Sequence, residues 1–448
     1  MMTTPICDFL KRYAEQDILR LHMPGHKGQG KLGVEQYDIT EVSGADSLYE
    51  AAGIIRQSEE NASALFGCPT FYSAEGSSLA IRAMVYLAMQ HALARGRRPK
   101  IAAGRNAHKV FLSAVTLLDV DVAWMAGDSY LSCKMDAQAL ERVIEAACPT
   151  AVYVTSPDYL GHITDIAALA EVAHRHDCLL LVDNAHGAYL KFLPDSLHPM
   201  DLGADLCADS AHKTLPVLTG GAYLHIAQKH GHLVRQAKTA LALFGSTSPS
   251  YLILQSLDAA NAVLDDGYRR DLADFVRRYE AMKSRLRGWD MVGTEPLKLT
   301  LATKSRGYLG TEVAQALREQ GIEGEFADAD DVVFMLTPEI GQAGLDRLEQ
   351  ALMALPRKPA LETRPPRFHL PRRVMPFRAA AFASAQTVPV EESLGRILAS
   401  PTVGCPPAVP VVACGERIDE GALACFRYYG IKTCTVVCEP EEMIGDLR

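Results

Sequence analysis

The stretch Ala208-Asp209-Ser210-Ala211-His212-Lys213-Thr214 ends a short apolar run and places a lysine just beyond it. Thirty residues before that lysine, the run Cys178-Leu179-Leu180-Leu181-Val182 ends in Asp183-Asn184-Ala185-His186-Gly187. Outward from this pair, apolar runs recur at 70–73, 100–103, 120–124, 151–155, 179–183, 205–208 and 221–225, with helical patterns such as 78–94 and 165–176 between them. Continuous apolar strands alternating with helices predict an α/β fold with a mainly parallel, seven-stranded sheet covered on both faces. The last strand, ending near His225, reads as antiparallel. Open sheets of this kind bind ligands outside the carboxyl ends of their strands, and Asp183 and Lys213 both fall there.

A lysine and an acid at two such strand ends suit pyridoxal 5′-phosphate (PLP). The amine joins the cofactor's aldehyde, and the carboxylate keeps the pyridine nitrogen protonated so that the ring accepts electrons. Glu75-Gly76-Ser77-Ser78 lies between the strand at 70–73 and the following helix. Gly76, Ser77 and Ser78 read either as a phosphate cradle at a helix N-terminus or as a simple N-cap. Ser210 is a second phosphate candidate or a turn serine. His108, in Gly104-Arg105-Asn106-Ala107-His108-Lys109, stacks on the pyridine face or is a polar loop histidine. His186 reaches the ring's phenolic oxygen or caps a turn.

Bulk composition bounds the rest. The chain has 448 residues, 48% hydrophobic and 22% charged, the profile of a soluble globular protein with room for two or three domains. A net charge of −9 argues against nucleic acid as a partner. No apolar run reaches the length of a membrane span, and the first residues lack the pattern of a signal peptide. Eleven scattered cysteines predict a reduced, cytoplasmic protein and no metal centre. The expected organisation is an N-terminal arm at 1–50, a large cofactor-binding domain at 51–288, a small α+β domain at 289–360 and a C-terminal subdomain at 361–448. A proline-rich linker spans 356–371, a helix is expected at 390–399, and strands are expected at 409–414 and 433–437.

Several motifs together resemble the short form of the Orn/Lys/Arg decarboxylase family, PLP enzymes of the aspartate-aminotransferase fold. They are His22-Met23-Pro24-Gly25-His26-Lys27-Gly28, Arg105-Asn106-Ala107-His108-Lys109, Ser210-Ala211-His212-Lys213-Thr214-Leu215-Pro216, Ser246-Thr247-Ser248-Pro249-Ser250-Tyr251, and Pro406-Pro407-Ala408-Val409-Pro410 with Gly415-Glu416. The resemblance implies α-decarboxylation of arginine, lysine or ornithine, with Lys213 or His212 returning the proton to Cα. It implies a ring-stacking role for His108 and a homodimer or higher homo-oligomer in which Thr247 serves the neighbouring subunit's phosphate. On this reading Glu416 meets the substrate's distal cation or is a surface-loop glutamate. Arg378 meets a carboxylate or is structural. Glu75, Asn184, Asp158, Ala408 and Cys414 depart from the family pattern, where asparagine, glutamate, threonine, glycine and proline are usual. The alternatives are another PLP reaction, such as transamination, and a PLP-binding protein with little turnover.

Overall fold

The computed structural model describes residues 2–127, 129, 131–133, 135–405 and 409–439. Seven strands, β1 (Thr70–Ser73), β2 (Lys100–Gly104), β3 (Asp121–Met125), β4 (Ala151–Thr155), β5 (Leu179–Asp183), β6 (Leu206–Asp209) and β7 (Ala222–Ile226), form one sheet. Their order is β1-β7-β6-β5-β4-β2-β3. Pairs β2/β3, β2/β4 and β5/β6 are parallel, and β7 is antiparallel to both β1 and β6, as its sequence suggested. Every expected strand is present, each within a residue or so of its predicted limits.

The chain divides into two compact units, Met1–Arg98 with Ile166–Asp274, and Pro99–Asp165 with Phe275–Arg448. The first holds β1, β5, β6 and β7. Its helix Gly76–Ala94 is apolar along most of its length and buries Leu79, Ala80, Ala83, Met84 and Leu87. The N-terminal helix Pro5–Glu15 starts with proline at N1, where a missing N–H costs nothing. Its free amides at Ile6 and Cys7 donate to the Asp258 carboxylate at 2.9 and 3.0 Å. The arm therefore begins as a docked helix, and only the chain beyond that helix is irregular.

The second unit holds β2–β4 and all later strands. A four-stranded sheet, β10 (Phe326–Ala327), β11 (Asp331–Met335), β9 (Lys298–Ala302) and β8 (Asp290–Val292), forms the expected α+β element with the helix Gly310–Arg318. Strands β12 (Ala385–Pro389) and β15 (Thr433–Val437) pair near the C-terminus, as do β13 (Thr402–Cys405) and β14 (Val409–Ala413). The helix expected at 390–399 is absent. Only a 3-10 turn, Val390–Glu392, forms before Gly395 takes φ +80°. A glycine in that conformation ends helical structure. Leu398 is then free to bridge to Val436 and to bury itself completely against the same cluster as Val411 and Phe426. Pro406, Pro407 and Ala408 lie outside the described residues.

The carboxyl end of β2 carries a buried ion pair. Arg105 donates from Nη1 and Nη2 to both Glu416 oxygens at 2.9 and 2.7 Å, and from Nη2 to Val411 O at 3.2 Å. Ala413 N also donates to Glu416, and the guanidinium lies 4.8 Å over the Trp124 ring. Each partner is 1% exposed, so removing one leaves an uncompensated buried charge. Glu416→Gln is therefore expected to lower unfolding free energy by about 3 kcal/mol, read from denaturant midpoints. A variant as stable as the parent would show that the pair carries no such load.

Candidate functional site

The first unit assembles most of the predicted site residues. Parallel pairing puts Asp183 opposite Ala208, with Val182 opposite Cys207. Asp183 is 2% exposed and its Oδ1 accepts from Ala185 N at 3.2 Å. Beyond β6, Ser210 starts a one-turn helix, Ala211–Thr214, that presents Lys213. Lys213 Nζ lies 3.0 Å from His186 Nε2, and His186 is itself buried. The two nitrogens are within hydrogen-bond distance of each other. An amine at the mouth of a strand end, with a base at hydrogen-bond distance, is the arrangement of an activated nucleophilic lysine.

A second group of residues stands around the start of the helix Gly76–Ala94. Gly76 takes φ +69°, a conformation that L residues avoid, and its amide donates to Gly220 O at 2.7 Å. Ser210 Oγ donates to Ser77 Oγ at 2.8 Å, joining the lysine loop to this helix terminus. The positive end of a helix, with the hydroxyls of Ser77, Ser78 and Ser210, is suited to a phosphate. His212 Nδ1 donates to Gly221 O at 3.0 Å. Burial lowers its pKa, with the backbone bond opposing and the Lys213 charge adding a smaller push. The imidazole is thus neutral near pH 7 and keeps a lone pair on Nε2. That nitrogen can accept a proton or, once protonated, return one.

The donor set fits the cofactor expected from the sequence. Lys213 would hold the aldehyde, Asp183 the pyridine nitrogen, and Ser77, Ser78 and Ser210 the phosphate. Among the described residues, Asn184 Oδ1 and Thr214 Oγ1 are buried without a protein hydrogen-bond partner, so both strand ends retain unused polar capacity. Glu75, the departure with most bearing on a phosphate, is exposed, and its Oε1 accepts from Ser246 N at 2.5 Å. It ties down the start of the segment that contains Thr247, which is itself exposed.

His108, Glu416 and Arg378 belong to the second unit. His108 is the N-cap of the helix Lys109–Leu118, its Nδ1 accepting from Val110 N at 3.3 Å. Expectation and structure part at Glu416. It does meet a cation, but that cation is Arg105, and both carboxylate oxygens are committed in a fully buried pair. A structural role replaces the substrate-binding one. Arg378 is exposed and donates to Leu117 O at 3.0 Å, near the end of the helix it supports. This is the ordinary use of arginine at a helix C-terminus. Asp158, where the family has threonine, accepts from Leu160 N, His162 N and His162 Nδ1. The sequence reading passed over Arg105 and Asp209. Both lie inside quoted motifs, but nothing in their spacing marks them as buried charges.

Comparison with known proteins supplies the lineage. Residues 4–291 match the model of the Orn/Lys/Arg decarboxylase major domain. An arginine decarboxylase of Bacillus subtilis is 29% identical over 93% of this chain and 91% of its own length. One from Halalkalibacterium halodurans is also 29% identical, over 95% of this chain and 93% of its own. The fold is that of the E. coli constitutive lysine decarboxylase, with TM-score 0.77, 17% identity, and coverage of 98% of this chain and 82% of that one. Lysine decarboxylase A from Pseudomonas aeruginosa matches with TM-score 0.78 and 17% identity, over 95% of this chain and 75% of that one. Over most of its length, from the N-terminal helix through the lysine motif, this chain belongs to the Orn/Lys/Arg decarboxylase family.

Proposed function

We propose that the protein is a PLP-dependent α-decarboxylase of a basic amino acid, arginine, lysine or ornithine, giving the corresponding amine. The observation that carries this reading is the convergence of Lys213, His186 and Asp183 at the carboxyl ends of β5 and β6, beside the serines at a helix N-terminus. Bound there, PLP would supply the electron sink for loss of CO₂. The chain's own residues do the rest. Lys213 Nζ stands 3.0 Å from His186 Nε2, at hydrogen-bond distance. Asp183 supplies a buried negative charge. His212, neutral through burial, can take up a proton on Nε2 and pass it on to Cα. Arginine is the first substrate to test, since the relatives at 29% identity carry that name.

Two further features support finer parts of the proposal. Leu19 and Leu21 are each 82% exposed and Leu32 83%, an apolar loop after the docked N-terminal helix. Such a surface suits burial against a second copy, and Thr247 is exposed for the neighbour's phosphate. On this reading the active site belongs to a homodimer. Ten of the described cysteines form no disulfide, and no described helix is long and apolar enough to cross a membrane. The cysteines suit a reduced cytoplasmic setting, and the amine product suits a place in polyamine formation.

Three variants test these assignments. Lys213→Ala should remove the visible absorbance of lysine-linked cofactor, and borohydride fixation of PLP to that variant would refute the assignment. Asp183→Asn should keep the fold but lower amine production by about a hundredfold or more, because an amide does not stabilise the pyridinium charge. Near-normal CO₂ release from arginine, lysine or ornithine by that variant would count against the mechanism. Mixing Lys213→Ala with a Thr247→Val protein and reassembling them should restore part of the lost activity. Complete failure to complement would point to sites enclosed within single chains.

A further inference from the structure

Asp209 ends β6 just before Ser210, has no exposed surface, and has no part in the chemistry above. Four donors converge on it. His198 Nε2 and His225 Nε2 approach Oδ2 at 3.0 and 3.1 Å, and Asn184 Nδ2 approaches Oδ1 at 2.7 Å. The fourth is Cys207 Sγ, 3.4 Å from Oδ1. His198, Cys207 and Asp209 bring together the atoms that ligate metals, but their lone pairs are already used. Met200 N donates to His198 Nδ1 at 3.3 Å, so the proton of His198 is on Nε2 and points at Asp209. Cys207 is pushed well above an ordinary thiol pKa by burial, with the Asp209 charge adding to it. It therefore keeps its S–H. The cluster holds protons, not an ion.

A carboxylate removed from water needs a compensating charge, and the hydrogen bonds identify its source. Thr70 Oγ1 donates to Cys68 O at 3.0 Å, so its oxygen accepts at 2.9 Å from His225 Nδ1. Both ring nitrogens of His225 then carry protons. The Asp209 charge raises the pKa of His225 against the opposing effect of burial. The result is a neutral, buried aspartate–imidazolium pair that leaves Oδ1 free to grip Asn184. That asparagine follows Asp183 directly, and its own amide donates to Ala208 O at 3.0 Å.

We propose that Asp209 is a positioning residue. Charged against an imidazolium at His225, it holds Asn184 and thereby ties the Asp183 end of β5 to the Ser210–Lys213 end of β6. The inference rests on the reading of Lys213 as the cofactor lysine. It gives Asn184, a departure from the family pattern, a specific task.

Nitrogen-15 NMR of histidine-labelled protein, as purified, tests the charge assignment without a variant. His225 should show two protonated nitrogens from about pH 6 to about pH 8, where a free imidazole would titrate. A neutral His225 near pH 7 overturns the proposal. The tie itself is tested by Asp209→Asn, Asn184→Ala and the double variant. Each single change should lower kcat about tenfold with little change in KM, and move the pH titration of the cofactor's visible absorbance. The double variant should be no worse than the poorer single, because the residues act through one link. Losses that simply multiply would overturn it. If Asp209→Asn does not fold, Asn184→Ala decides alone, and wild-type absorbance and kcat in it refute the tie. A parent protein without cofactor absorbance would overturn the functional reading, and the His225 measurement would still judge the charge assignment.

Discussion

The parallel pairing of β5 with β6 is the constraint on which the site depends. Asp183 ends one strand, and the chain leaves the other through Asp209 and Ser210 to reach Lys213. Because successive residues of a strand point to opposite faces, slipping this register by one residue would turn Asp183 to the other face of the sheet. The register is fixed twice over. Ladder bonds and the fully buried side chains of Leu181, Val182, Leu206 and Cys207 set it along the strands. Beyond them, Asn184 holds to Ala208 by its backbone and to Asp209 by its side chain. Geometry at the lysine is thus inherited from packing several residues away.

Buried charge follows one rule in both units. Asp209 is matched by His225, and Glu416 by Arg105, each with further hydrogen bonds that use the remaining oxygen capacity. Neither pair is strong evidence for net stability, since desolvation offsets much of the attraction. What each pair does is fix a position. Glu416 holds the C-terminal strand β14 through Ala413 N while its partner arginine reaches Val411 O. Arg105 is also three residues before His108, so the loop carrying that histidine starts from an anchored point.

The strands were legible because a sheet covered on both faces demands continuous apolar runs, and those runs are long enough to count. The lysine, the strand-end aspartate and the glycine-serine turn stand out in the sequence because the chemistry of the expected cofactor restricts their residue types. The exceptions have physical causes. The pattern at 390–399 has enough apolar residues for a helix, but Gly395 in the left-handed region and the pull of the Val436 edge outweigh that preference. Glu416 was expected to meet a substrate cation or to lie on a surface loop, but sequence does not tell whether the cation is a ligand or an arginine 311 positions away. Asp209 was hidden for a similar reason. Its partners come from Cys207 on its own strand, from β7 and from two loops, and no spacing rule joins His198, Asn184 and His225 to it.

The departures from the family pattern look less disruptive once each charge has an address. Glu75 is exposed and engaged by the Ser246 amide, so its charge steadies the segment that bears Thr247. Asp158 accepts three hydrogen bonds within its own turn and its histidine neighbour. Cys414 is packed against Thr116, and burial pushes its thiol up to about 11, which leaves it neutral where proline is usual. Asn184 is bound to Asp209, next to Asp183. A shorter side chain at 184 than the usual glutamate brings its amide to a carboxylate on the adjacent strand, instead of adding a second acid beside Asp183. An extra negative charge there would raise the cost of keeping Asp183 ionised, the charge state that its proposed pairing with the pyridine nitrogen requires.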